Sequence, residues 1–143
     1  MILISHRGNT NGKDPNKENE PNHILQVLKN FDCEIDVWFI DSKFYLGHDS
    51  PTYPIEASFL ETPGLWCHAK NLPALEKMLE TRAHCFWHQT DTVTLTSRGF
   101  VWTFPGQPII KQSIELVFNG EAPSSIRHQG ICSDYIENYQ SFK

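Results

Sequence analysis

An α/β fold built around a parallel sheet is what the sequence predicts, and three observations carry it. Short apolar runs of strand length alternate with helical patterns and polar connections, the order that puts helices between parallel strands. Residue types suited to metal and phosphate chemistry stand at the ends of those runs: His6 and Arg7, then Glu34 and Asp36, then His48 and Asp49. Closed barrels and open α/β sheets both gather their sites at the C-terminal ends of strands. At 143 residues the chain makes a single domain, 1–143, with a real core. A complete eightfold barrel takes ~250 residues, so a barrel here would be a trimmed one.

The elements follow in order. ILISH (2–6) is apolar until it reaches Ser5 and His6, a first strand ending in a polar loop. That loop, NTNGKDPNKENEPN (9–22), is the most polar stretch of the chain. A helix over about 22–30 follows Pro21, with Ile24, Leu25 and Leu28 toward the core. CEIDVWFI (33–40) and KFYLGH (43–48) are strands joined by Asp41 and Ser42 in a tight hairpin turn. LWCHAK (65–70) is the next strand. The best helix is NLPALEKMLETR (71–82): Asn71 caps it, Pro73 suits its first turn, and Leu72, Leu75 and Leu79 share a face. HCFWHQ (84–89), GFVWTF (99–104), SIELVF (113–118) and GICSDYI (130–136) complete the strands, with weak helical turns expected at 91–97 and 123–128. The connection at 106–112 has no helical face. There are no internal repeats or linkers.

Composition narrows the function. Large side chains are plentiful, with 12% aromatic residues, which excludes a disordered chain. The net charge of −5, spread without a long run, disfavours nucleic acid bound through a basic face. A phosphate substrate remains compatible, because a divalent cation supplies positive charge locally. No apolar segment approaches the ~20 residues of a membrane span, and MILIS is too short for a signal peptide's apolar region. The expectation is a cytoplasmic protein. Cys33, Cys67, Cys85 and Cys132 lie far apart beside apolar runs, as buried free thiols do. A zinc site from Cys67, His68, His84 and Cys85 is conceivable, but its spacing matches no familiar finger.

Strand parity organises the polar residues. Glu34 and Asp36 share one face of their strand, with Cys33, Ile35 and Val37 on the other; Trp66, His68 and Lys70 share a face, with Cys67 behind. Two adjacent carboxylates repel unless one is protonated or a cation lies between them. Hard oxygen ligation suits Mg²⁺ or Ca²⁺, which can act as a Lewis acid on a phosphoryl oxygen. His6 and His48 can exchange protons near neutrality, Arg7 offers a fork of donors to a phosphate, and Lys70 adds a cation. Taken singly each piece has an ordinary explanation: a surface histidine, a half-solvated strand face, a lone tripeptide. Their order, one set per strand, is what points to phosphodiester cleavage.

ISHRGN, KENEP, CEIDVWF and FYLGHD together resemble the glycerophosphodiester phosphodiesterase family, within the phospholipase-C-like phosphodiesterases of TIM-barrel fold. The likeness covers the first ~50 residues well; GICSDYI resembles the family's last strand, and 84–128 matches only in rhythm. The resemblance implies a compact, trimmed TIM (β/α) barrel with several helices shortened or missing. It implies a metal held by Glu34 and Asp36, acid–base work by His6 and His48, phosphate contacts from Arg7 and Lys70, and Glu18 and Asn19 shaping the site. HAK departs from the family, since His68 stands where a third carboxylate is usual; as a ligand it would shift preference toward Mn²⁺ or Zn²⁺. Three alternatives stay open. A hydroxyl of the substrate could attack, giving a cyclic phosphate; the barrel could bind a phosphorylated ligand without turnover; or zinc could be structural. His84 and His88 read as core or pocket residues, Trp66, Trp87 and Trp102 as core or an apolar wall, and Asp134 as a turn cap or a substrate contact.

Overall fold

The computed structural model describes residues 1–143. Ten strands form one curled, mixed sheet: β1 (Ile2–His6), β2 (Asp32–Ile40), β3 (Lys43–Leu46), β4 (Tyr53–Ile55), β5 (Leu65–Ala69), β6 (Cys85–Phe86), β7 (Val93–Leu95), β8 (Val101–Thr103), β9 (Ser113–Leu116) and β10 (Gly130–Ser133). Two short α-helices, α1 (Pro21–Val27) and α2 (Leu72–Leu79), and two 3₁₀ turns, Ala57–Glu61 and Ile136–Phe142, complete it.

A band of parallel strands runs β6-β5-β2-β1-β10-β9-β8. β3 and β4 continue antiparallel from β2, and β7 antiparallel from β8. No ladder joins β6 to β8; the gap is bridged by Ser97 N–H donating to the Cys85 carbonyl (2.8 Å) and the Thr94 hydroxyl donating to that of Trp87 (2.8 Å). The trimmed TIM barrel is therefore not the fold. Helices do not alternate with strands, and the curled sheet is open and mixed. The physical reason lies in the connections. The path from β2 to β5 is taken by a hairpin and a 3₁₀ turn, and that from β6 to β8 by β7. Pro105 and Pro108 between β8 and β9 deny a helix its donors, and Asn119 and Gly120 leave β9 at φ +58° and +70°.

The weak helical turn expected at 91–97 is instead β7, whose alternating Thr-Val-Thr-Leu favours an extended chain. Residues 123–128 form bends rather than a helical turn. The hairpin at Asp41 and Ser42 is present, both in the left-handed region (φ +49° and +63°), as the tight turn between twisted strands requires. On α2, Asn71 accepts a hydrogen bond from Ala74 N–H as the cap, but the buried face is Ala74 and Met78; Leu72 and Leu79 are 61% and 60% exposed. On α1, Ile24 and Val27 are buried while Leu25 is exposed.

Strand parity divides the core. Ile4, Trp66, Phe86, Trp102, Ile114, Leu116 and Cys132 fill the inside of the curl. Outside it, Cys33, Ile35, Val37, Cys67 and Ala69 pack under Ala74 and Met78 of α2. Leu3, Ile131, Ile136 and Tyr139 seal the C-terminal turn against the sheet. Each large apolar side chain so buried contributes about 1.5–3 kcal/mol. All four cysteines are buried and unpaired. Cys67 and Cys85 lie in the outer core, whereas His68 and His84 pack against Phe86 and Trp66 inside the curl, so these four do not converge on a zinc ion. No helix is long and apolar enough to cross a membrane.

Candidate active site

The long strand β2 brings the site together. Its first half pairs with β1 up to His6↔Glu34. Where β1 leaves, β3 takes over the same edge, beginning at Val37↔Leu46. Consecutive free carbonyls are thereby shared: Arg7 N–H donates to Glu34 O (3.0 Å) and Gly47 N–H to Asp36 O (3.1 Å). The chain segments carrying His6 and His48 thus leave the sheet side by side. Arg7 itself is left-handed (φ +56°), and Gly8 follows at φ +93°, where a Cβ would meet Ile24 Cδ1 at 2.9 Å. Left-handed backbone at a bulky residue costs about 1–2 kcal/mol, and such outliers gather at functional sites.

His6 is held from both sides. Nδ1 lies 2.8 Å from Asp134 Oδ1 and Nε2 lies 3.9 Å from Glu34 Oε2. Burial disfavours its charged ring, but the hydrogen bond with Asp134 and the charge of Glu34 outweigh it, and the pKa rises above the ordinary value. Asp134 is likewise penalised by burial, yet the bond to His6 and a second from Asn9 Nδ2 (2.8 Å) keep its carboxyl below the usual range. Asn9 Nδ2 also donates to Glu18 Oε1 at 2.8 Å, and Glu18 Oε2 lies 3.5 Å from Arg7 Nη1.

Asp36 is fully compensated. Asn19, buried at φ +60°, donates from Nδ2 to Oδ2 (2.9 Å) and accepts Asp36 N–H on Oδ1 (2.8 Å). Arg7 Nε stands 3.2 Å from Oδ2, close but misaligned for a hydrogen bond, and Lys70 Nζ stands 3.8 Å from Oδ1. Burial opposes the charge of Asp36, but contact with His68 and these cations prevail and hold its carboxyl well below the ordinary range. Glu34 is the opposite case. Burial first, and the neighbouring Asp36 second, push its pKa up, and its one direct side-chain hydrogen bond comes from Arg7 N–H (3.2 Å).

His68 Nδ1 faces both carboxylates, 3.2 Å from Asp36 Oδ1 and 3.9 Å from Glu34 Oε1, while Nε2 lies 3.2 Å from the His88 carbonyl oxygen. A carbonyl only accepts, so Nε2 carries a proton. Nδ1 of a neutral ring would then aim a lone pair at two carboxylates, which holds only with a proton or a cation between them. Stacking against Phe86 (5.3 Å) and His88 (4.3 Å), whose own centroids are 6.0 Å apart, fixes the ring plane. The ligand atoms of Glu34, Asp36 and His68 lie within 4.8 Å of one another, and this buried group could hold a metal ion. The under-bonded Glu34 and the outward-tied His68 tautomer fit that use, since metal-binding imidazoles commonly donate their other N–H to a carbonyl.

A cavity of about 410 Å³ opens over this group. His6, Arg7, Glu34, His48, His68 and Lys70 all line it, so six of the nine residues singled out in the sequence meet there. Asp36, Glu18 and Asn19 lie behind the wall and brace it. His48 is half-exposed, with Nδ1 2.8 Å from Asp49 Oδ1. Among the participants that escaped the sequence reading are Asn9 and Lys13 in the polar loop, and Phe104 and Phe118 beyond β8 and β9. Asn9 follows directly on the HRG tripeptide, a signal within reach. The other three show only once strand neighbours are known. Comparison of the chain with protein-family models, curated proteins and solved structures finds no match.

Proposed function

We propose that this chain is a metal-dependent phosphodiesterase that cleaves a glycerophosphodiester-like bond with His6 and His48 as its general acid–base pair. One observation carries the reading: both histidines, the cations Arg7, Lys13 and Lys70, and the Glu34–His68 edge of the metal-competent group line one cavity. A divalent cation held by Glu34, Asp36 and His68 would polarise a phosphoryl oxygen as a Lewis acid. Two carboxylates with an imidazole suit Mn²⁺ or Zn²⁺ better than Ca²⁺, which takes 6–8 oxygens, with Mg²⁺ between them.

The phosphate oxygens dock on Arg7 and Lys70, whose positive charge outlasts their contacts with Asp36. One histidine takes the proton of the attacking hydroxyl as its oxygen bonds to phosphorus. The ester P–O bond opposite breaks, and the other histidine protonates the departing alkoxide. Asp134 keeps the His6 ring oriented and Asp49 does the same for His48. Water as nucleophile yields a phosphomonoester and an alcohol; a neighbouring substrate hydroxyl yields a cyclic phosphate.

The test is a panel of glycerophosphodiesters incubated with and without chelator, products resolved by phosphorus NMR. Release should need the metal, and His6→Ala and His48→Ala, folded by circular dichroism, should each lose about 10²-fold or more. Binding without release would make the chain a phosphate-binding module. Unfolding on chelation would make the metal structural.

A further inference from the structure

The cavity has two chemically different halves, and strand parity makes them. Inward positions at the end of β1, within the first half of β2 and just past β5 carry His6, Glu34 and Lys70, with Asp134 after β10 behind His6. Those at the ends of β8 and β9 carry Trp102, Phe104, Leu116 and Phe118, all of which line the cavity. Trp102 and Leu116 are anchored in the inner core, Trp102 with its ring 4.8 Å from that of Phe86. Phe104 and Phe118 are only half-buried and meet edge to face, centroids 6.5 Å apart; Phe104 also stands edge-on to His88 at 5.3 Å. Half-exposed aromatic rings beside a polar site lose apolar area to water until a ligand covers them.

The charge balance says which ligand group covers them. Aromatic faces can bind a quaternary ammonium, but of the three cations lining this cavity Arg7 and Lys70 are met by Asp36, while Lys13 makes no ion pair. The divalent cation of the proposed reading would add its own positive field. A cationic head group would be repelled here, whereas an uncharged one gains from the rings without opposing the field. The volume, about 410 Å³, lies low in the ~300–1,000 Å³ span of small-molecule sites. It suits a phosphate with one compact substituent.

We infer that the second ester oxygen of the substrate carries a compact, uncharged apolar group, aryl or short alkyl, seated on Phe104 and Phe118, and that choline-type head groups are selected against. The inference rests on the phosphodiesterase reading of the same site.

Calorimetric titration of the folded chain in Mg²⁺ with inorganic phosphate, phenyl phosphate and phosphocholine tests it without relying on turnover. Phenyl phosphate should bind about tenfold or more tightly than either of the others. In Phe104→Ala and Phe118→Ala that preference should shrink while inorganic phosphate binds as in the wild type, which also verifies folding. Phosphocholine binding as tightly as phenyl phosphate in the wild type would overturn the inference while leaving the phosphate site intact. So would a phenyl preference that survives both variants. No binding of any of the three would remove the phosphodiesterase reading and this inference with it.

Discussion

His84 takes no part in the proposed chemistry, yet it links the interior of the curl to pH. Its ring lies 4.1 Å from that of Trp66 and 5.7 Å from that of Phe100, and Nε2 stands 2.8 Å from Thr96 Oγ1. Burial, and then the positive charge of Arg98, lower its pKa from 6.5 to about 4. The folded state therefore binds this proton less readily than the unfolded chain does. Stability contributed by neutral His84 is complete above the unfolded value and drains away as pH falls toward about 4. At about 1.4 kcal/mol per unit, the loss is on the order of 3 kcal/mol at most. His84→Gln, which can still bond Thr96, should show a shallower acid limb than the wild type between pH 6.5 and about 4 in urea-denaturation midpoints. Equal limbs would mean that His84 is already solvated when folded.

At the scale of elements, α2 offers the sharpest contrast. Met78 is fully buried against β2, β5 and β6, while Leu79 beside it is 60% exposed. Met78→Ala should cost about 2–5 kcal/mol, the price of a lost core side chain and its cavity. Leu79→Ala should change stability by under about 0.5 kcal/mol. Chemical denaturation of both variants checks it, and a reversed order would restore the Leu72–Leu75–Leu79 face. That face misled because three leucines outweigh an alanine and a methionine by hydropathy, although a helix lying close on a sheet favours small Ala74 at the contact. Eight strands were legible from apolar runs and alternation, β2 and β3 with their turn included. β7 was not, since Asp91 and Ser97 flank it like helix ends and obscured the Thr alternation. β4 and the 3₁₀ turns are too short to leave a periodic signal. Among the residues of the candidate site, those in contiguous motifs stood out in the sequence: His6, Arg7, Glu34, Asp36 and His48. Asp134 was legible only as a polar strand end, because its partner His6 is 128 residues away and the β1–β10 pairing decides the contact.

For the whole molecule, the unusual feature is two carboxylates and a histidine buried side by side where three strands meet. Asp36 is neutralised from within by Arg7, Lys70 and Asn19, so the unmet charge belongs to Glu34. Keeping such a group buried in a sheet costs stability, and that cost predicts opposite effects of one substitution with and without a cation. In the metal-free protein, Glu34→Gln removes like-charge repulsion with Asp36 and keeps an oxygen for Arg7 N–H, so it should match or exceed wild-type stability, by about 1 kcal/mol. With Mn²⁺ at about a hundred times its dissociation constant, the wild type should gain about 2.7 kcal/mol by mass action, raising Tm by several degrees. Glu34→Gln and His68→Ala should lose most of that rise. The curves should cross: the variant is the more stable without metal and the wild type with it. A differential scanning fluorimetry series in chelator, Mg²⁺ and Mn²⁺ reads this without any substrate. If Glu34→Gln melts lower than the wild type in chelator, yet rises equally with Mn²⁺, Glu34 is a structural carboxylate and the cation binds elsewhere. A crossing, by contrast, would tie the strained carboxylate pair to cation capture before any phosphodiester has been turned over.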